Sequence, residues 1–376
     1  SSRMSVFLMS SFSIERSSEF FKSKQMLLLF LFNTVNIAPV PDLVAPMNLA
    51  RSPIPGGSTL ITSAPWSASI MLAKGPETVD VNSRILKPSN GPDMTTSSKL
   101  LSFLLYNTEI QMNTLKNKYF DIGANLTHSS FEGDEEIVIN LANQEGVERL
   151  SVTGSNLEES IKAYELVKAF PDHLISTAGI HPHEAKQYSR SSFTEIRDLL
   201  TANGVNAIGE TGLDFHRNFS SPTQQIKSFE AHIELAIDTS MPLFLHEREA
   251  HDKFIEMLKP LKNDLPKTVV HCFTGNESEL QAYIDMDFYI GITGWICDER
   301  RGKHLEDLVS LIPLNKLMVE TDAPYLLPRD MGIKKSSRNE PRYLPHIVNK
   351  ISSHREEELE VITSSIYLNS LDFFKL

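Results

Sequence analysis

From Lys118 onward, apolar residues fall into two patterns that alternate along the chain. Continuous apolar runs of strand length occupy Tyr119–Gly123, Arg149–Thr153, Leu174–Ile180, Val205–Glu210, Pro242–His246, Thr268–Phe273, Phe288–Thr293 and Leu317–Thr321. Amphipathic stretches lie between them at Leu157–Phe170, Phe193–Leu200, Gln224–Ile237, Phe254–Leu261, Leu280–Met286 and Leu305–Ile312. In the first of these, Ile161, Tyr164, Leu166 and Val167 sit at helical spacing. A strand buried on both faces reads as an unbroken apolar run, and strands alternating with helices imply parallel βαβ units. Eight such units in about 250 residues match a closed (β/α)8 barrel in number and size. An open doubly wound sheet would carry a glycine-rich phosphate loop after its first strand, which Gly123-Ala124-Asn125 does not supply. Two further helices, Leu344–Ser352 and Glu357–Phe374, are expected to pack on the outside. The barrel domain is assigned to residues 118–376.

Residues 1–117 are different in kind, rich in Ser and Pro with little helical periodicity. They are read as an extension: a disordered arm, a transit segment, or an artefact of the gene model, with Met112 as the natural start. The apolar run Met26–Phe32 falls far short of the roughly 20 residues a membrane helix needs. Charge follows the same division. Residues 1–118 carry 11 Lys and Arg against 7 Asp and Glu, whereas the remainder carries 25 against 41. So acidic a body argues against broad adhesion to nucleic acid while leaving room for a substrate gripped locally. With only two cysteines, Cys272 and Cys297, neither a disulfide framework nor a cysteine-rich zinc site is available.

Four of the apolar runs end on, or just before, metal-ligating residues: Glu210, His246, His271 and Asp322. In a barrel the strand C-termini converge on one mouth, so these four are expected to face one another. Two carboxylates and two imidazoles without thiolate suit Mg2+, Mn2+ or Zn2+, which would polarise an ester or phosphoryl oxygen and acidify a bound water. Glu210 and Asp322 are assigned as catalytic as well as metal-binding. His181 and His183 straddle Pro182 on a rigid turn and are read as substrate-binding, with helix capping as the structural alternative for His183. Arg217 and Arg248 follow ligand strands and offer planar donor forks to phosphate. Asp214 either orients a ligand or caps a turn. Glu320, two residues before Asp322, either assists it toward a second metal or pairs with an arginine such as Arg338.

Together these strings resemble the TatD family of metal-dependent deoxyribonucleases. The resemblance rests on Phe120-Asp121-Ile122-Gly123-Ala124-Asn125-Leu126-Thr127, Gly179-Ile180-His181-Pro182-His183 and Gly209-Glu210-Thr211-Gly212-Leu213-Asp214-Phe215. It continues through His271-Cys272-Phe273-Thr274-Gly275, Gly291-Ile292-Thr293-Gly294-Trp295, Cys297-Asp298-Glu299-Arg300-Arg301-Gly302 and Glu320-Thr321-Asp322-Ala323-Pro324-Tyr325. It covers about Tyr119 to the C-terminal end, nearest the branch of bacterial TatD. It implies a TIM barrel of the metallo-dependent hydrolase type and a Mg2+-dependent 3′-5′ exonuclease on single-stranded DNA, with RNA as a further substrate. Glu210, His246, His271 and Asp322 carry over as its metal and catalytic residues. Many relatives end the first strand with His-x-His, where this chain has Gly123 and Asn125, leaving Asn125 as at best a neutral oxygen ligand. Glu247 stands where relatives commonly carry cysteine, free to join a metal or bind Arg248. The competing functions are an amide or ester hydrolase, such as an aminoacyl-tRNA deacylase, and a non-catalytic binding barrel. The protein is expected to be a monomer with no membrane partner, cytoplasmic, or nuclear or organellar if the extension is real.

Overall fold

The alternation read from the sequence becomes eight parallel strands in a computed structural model that describes residues 118–334 and 337–376. The strands are β1 (Tyr119–Ala124), β2 (Val147–Val152), β3 (Leu174–Ala178), β4 (Val205–Asp214), β5 (Leu243–Arg248), β6 (Thr268–Val270), β7 (Tyr289–Ile292) and β8 (Leu317–Val319). Each pairs in parallel with the next in sequence, from β1 through β8. The ring closes between its first and last members, where Ala124 bridges Ala323. There the Asp322 amide donates to the Gly123 carbonyl at 2.8 Å and the Asn125 amide to that of Ala323 at 2.7 Å. The extension expected at 1–117 lies outside the described residues.

A buried carboxyl reinforces this closure. Asp121 has no solvent exposure, and it accepts the amides of Thr321 at 2.9 Å and Gly123 at 3.2 Å as well as bonding the Thr321 hydroxyl. Burial, with a contribution from Glu320, pushes its carboxyl up to about 8 against the lowering effect of those bonds. Near neutral pH it therefore joins β1 to the end of β8 mainly in its uncharged form.

The helices are α1 (Glu135–Gln144), α2 (Leu157–Ala169), α3 (Arg190–Leu199), α4 (Pro222–Thr239), α5 (His251–Leu258), α6 (Glu277–Asp285), α7 (Lys303–Leu308), α8 (Leu344–Ser352) and α9 (Leu359–Phe374). Side-chain caps set several starts: Asn156 accepts from the Glu159 amide, and Ser221 and Asn276 form capping boxes with Gln224 and Glu279. Helix α1 escapes the sequence reading because the β-branched run Ile137-Val138-Ile139 follows its first two residues and lowers helix propensity, and because Ile137 is left exposed. None of the described helices is long and apolar enough to cross a membrane.

Helix α9 does more than pack outside. Its Tyr367, Phe373 and Phe374 join Phe120, Ile122, Ile175, Ala207, Phe244, Val269, Tyr289 and Met318 in one apolar cluster, separate from the larger cluster between strands and helices. Phe374 stacks on Phe120 with ring centroids 5.3 Å apart, and its carbonyl accepts from Asn206 at 3.0 Å. The Tyr289 hydroxyl donates to Asp372 at 2.7 Å. Phe120, Asn206 and Tyr289 all lie near strand N-termini, so α9 stoppers that end of the barrel and leaves the C-terminal end as the open mouth. Replacing Asp121 should test the closure. Asp121→Ala strands the Thr321 and Gly123 donors and should cost roughly 2–4 kcal/mol in denaturant unfolding. Asp121→Asn, close in shape to the uncharged acid, should lose clearly less; equal losses would refute this account.

Candidate functional site

The expected convergence occurs at the mouth, around one oxygen of Glu210. This side chain from β4 is buried, and its Oε1 lies 3.1 Å from His181 Nε2, 2.9 Å from His246 Nδ1 and 2.7 Å from His271 Nε2. His181 Nδ1 accepts the His183 amide at 3.0 Å, so its proton sits on Nε2 and points at Glu210. If His246 donates to Glu210 through Nδ1, its Nε2 is left as a lone pair. That Nε2 is buried and lacks a hydrogen-bond partner, with Asp214 Oδ2 3.5 Å away. An imidazole lone pair held beside carboxylates, unsatisfied by protein, is what a divalent cation would complete. The ligand atoms of His181, Glu210 and His246 all lie within 4.8 Å of one another. His181, read from sequence as substrate-binding, thus stands in the same cluster, placed as a donor to Glu210.

Glycines shape the strand that carries Glu210. Gly209 has φ 144° and Gly212 φ 142°, and a Cβ on either would run into the carbonyl of Phe244 or His246 on β5. They let β4 stay paired with β5 as far as Asp214, four residues past the end expected from hydropathy. Asp214 caps its turn, Oδ1 accepting the Arg217 amide at 2.7 Å, while Oδ2 accepts from His183 Nε2 at 2.7 Å. His183 therefore holds Asp214 beside His246, and the helical turn Pro182–Gln187 is capped by His181 instead. Gln225, unnoticed in the sequence because it reads as a polar position in α4, clamps this corner. Its Oε1 accepts the Asp214 amide at 2.8 Å, and its Nε2 donates to the carbonyls of Asp214 and Ser220 at 3.0 and 2.9 Å.

Asp322 follows β8 in a left-handed conformation, φ 53°, and its Oδ1 accepts from Asn125 Nδ2 at 3.0 Å. Asn125 thus meets the group through Asp322. Glu320 is fully buried; its Oε2 lies 3.4 Å from His271 Nδ1 and its Oε1 accepts the Cys272 amide at 2.5 Å. Side chains at Gly123 and Gly291 would collide with this carboxylate. The pairing with Arg338 is not formed: Arg338 binds Asp134 and Glu340 at 2.9 and 3.1 Å. Nor does Glu247 take either expected role. Its oxygens accept the Ala250 amide at 2.7 Å and the Tyr283 hydroxyl at 2.9 Å, because its position on β5 points it at the start of α5. Arg217 and Arg248 line the open pocket above the group, Arg217 exposed and Arg248 partly buried. Cys297, Asp330 and His346 form a second close group away from this pocket.

The charges are strongly coupled. Burial alone would raise the Glu210 carboxyl, but His181 and His271 outweigh it and hold the group well below the usual range. Burial likewise opposes protonation of His271, yet Glu210 and Glu320 lift it well above 6.5. Burial opposes protonation of His246, but the neighbouring Asp214 and Glu210 carboxylates raise it, whereas burial takes His181 down to about 4. Burial, with repulsion from Glu210 and Glu320, pushes Asp322 up to about 7 despite the pull of His271.

The sequence pattern of the TatD related DNase family matches residues 120–375. A protein of Pectobacterium carotovorum named 3′-5′ ssDNA/RNA exonuclease TatD is 49% identical over 258 residues, covering 68% of this chain and 99% of that one. Its namesake from Escherichia fergusonii is 47% identical over 256 residues, 68% and 98% of the two chains. Among solved structures, YJJV, a TatD homologue of Escherichia coli K12, superposes with a TM-score of 0.64 at 27% identity, covering 69% of this chain and 99% of that one. With a match running from the first strand to the last helix and nearly the whole length of these relatives covered, the chain belongs to the TatD related DNase family.

Proposed function

We propose that this protein is a metal-dependent nuclease that removes nucleotides from the 3′ end of single-stranded DNA and RNA. The observation that carries the reading is the ring of His181, His246 and His271 around Glu210, with the buried His246 Nε2 left unpartnered in the mouth of a TatD barrel. Family and fold imply a divalent cation, and Glu210, His246, His271 and Asp322 are the residues to hold it, with His181 donating to Glu210. Mg2+ is the proposed ion, with Mn2+ and Zn2+ as the other candidates for a mixed carboxylate–imidazole set. When bound, the ion supplies polarisation of a phosphoryl oxygen and acidification of a water molecule.

The remaining work falls to the chain. Asp322, at the mouth beside the group, with Asn125 as its side-chain donor, is the carboxylate placed to accept the proton of an attacking water. His183 and Asp214 hold the His246 ring in one orientation. Arg217 and Arg248, on the pocket wall, offer guanidinium groups to the phosphates of the strand and favour a phosphodiester over an aminoacyl ester. The names of the relatives support the choice of strand and polarity.

Given 5′-labelled single-stranded DNA and Mg2+, the protein should produce a ladder shortening from the 3′ end, abolished by chelator. Glu210→Ala and Asp322→Ala should each lower the rate by about 10²- to 10⁴-fold. Absence of cleavage with every divalent ion, together with release of amino acid from charged tRNA, would sink the proposal. A second test uses pH. A carboxyl raised in the folded state contributes stability that is complete below its unfolded pKa and is lost as pH rises through the folded value. For Asp322 that window runs from about 4 to about 7. Metal-free protein should therefore lose stability across it, with His271 losing its own contribution as pH rises further. A bound cation should offset both losses, so its effect on Tm should grow from pH 5 to pH 8, reaching roughly 5 °C or more. A Tm gain that is constant across this range would contradict the assignment.

A further inference from the structure

Among the described residues, the two aromatic side chains that stand clearly exposed both line the pocket: Phe219, 59% exposed, and Tyr325, 52% exposed. Phe219 lies in the loop after β4 and Tyr325 in the loop after β8. In a ring of eight strands these positions are four places apart, so the two loops face each other across the mouth. Each residue is tied to the group below it, Phe219 through its ring and Tyr325 through its backbone, the Tyr325 ring lying edge-on to His128 at 5.6 Å. The Phe219 ring centroid is 4.8 Å from that of His183, whose Nε2 bonds Asp214, and the Tyr325 amide donates to the Asp322 carbonyl at 2.9 Å. The other aromatic ring of the wall, Trp295, already has a guanidinium on one face, that of Arg301 at 4.3 Å.

An exposed ring on each side of a carboxylate–imidazole floor, with Arg217, Arg248 and Arg301 nearby, fits a ligand of alternating flat apolar groups and phosphates. We infer that Phe219 and Tyr325 are stacking platforms for the two unpaired nucleobases flanking the scissile phosphodiester. The inference rests on the nuclease reading above and adds to it a physical source of strand selection. In a duplex both faces of an interior base are covered by its neighbours, so only a single strand offers a face to each ring. Every base has such a face, so the platforms select strandedness while tolerating any sequence. The rings act as positioning residues, setting the strand so that the phosphate between two stacked bases comes to rest over Glu210 and Asp322.

The test is equilibrium binding of the full chain, with Mg2+, to a thymidine oligonucleotide whose terminal linkages are phosphorothioate to resist cleavage. 2-Aminopurine at the last two positions should be quenched on binding. Phe219→Ala and Tyr325→Ala should each weaken binding by roughly five- to hundred-fold and relieve the quenching, with melting curves that overlay the parent's. Phe219→Trp and Tyr325→Phe should restore both. An oligomer of the same backbone without bases should bind weakly to the parent and no more weakly to the alanine variants. Equal binding of the baseless oligomer by the parent, or unchanged binding by both alanine variants, would overturn the inference. Quenching that persists in a chain cleaving nothing would support the platforms while counting against the nuclease.

Discussion

Everything at the mouth of this barrel depends on how buried negative charge is balanced. Asp121, Glu210, Asp214 and Glu320 are buried within one end of the protein, with Asp322 beside them on the pocket wall. Carboxylates this close repel, and the low polarity of their surroundings magnifies the cost. Each finds a different settlement. Asp121 keeps its proton, Asp214 faces His183 and a backbone amide, and Glu210 is surrounded by imidazoles. Asp322 is raised to about 7 by burial and by Glu210 and Glu320, with Asn125 as its side-chain donor.

Glu320 connects this balance to the absence of histidines on the first strand. Its carboxylate fills the space beside Gly123 and Gly291, where any side chain would overlap it. A histidine at 123 and the present position of Glu320 exclude each other on steric grounds. Strand β1 therefore contributes small size where many relatives contribute a ligand, and the acidic group enters from the other side of the closure. Loss of the His-x-His pair is accompanied by a carboxylate in the adjoining space, so it does not leave an empty corner.

The barrel and the meeting of Glu210, His246, His271 and Asp322 were legible in the sequence, because parallel strands are long apolar runs and their C-terminal ends must share a mouth. What stayed hidden depends on register and on distant partners. His181 reaches Glu210 through the setting of β3 against β4. Glu247 turns to Tyr283, 36 residues further on, and no local pattern announces it. Asp121 looked like one more residue of a strand until its bond to Thr321 showed it to be a fastener. Gln225 was masked for a related reason: an exposed glutamine and a buried one in the first turn of a helix look alike in sequence.

The placement of α9 has a consequence for how the molecule is made. The stopper formed by Phe373 and Phe374 is synthesised after all eight strands, and Asp121 meets its partner Thr321 only 200 residues later. On the ribosome, the nascent barrel thus exists as a curved sheet with a bare β1 edge and an unfilled apolar floor. Unpaired edges and uncovered apolar surface are the features that invite misassociation. Completion of the fold therefore awaits β8 and α9, and only their arrival covers the edge and the floor.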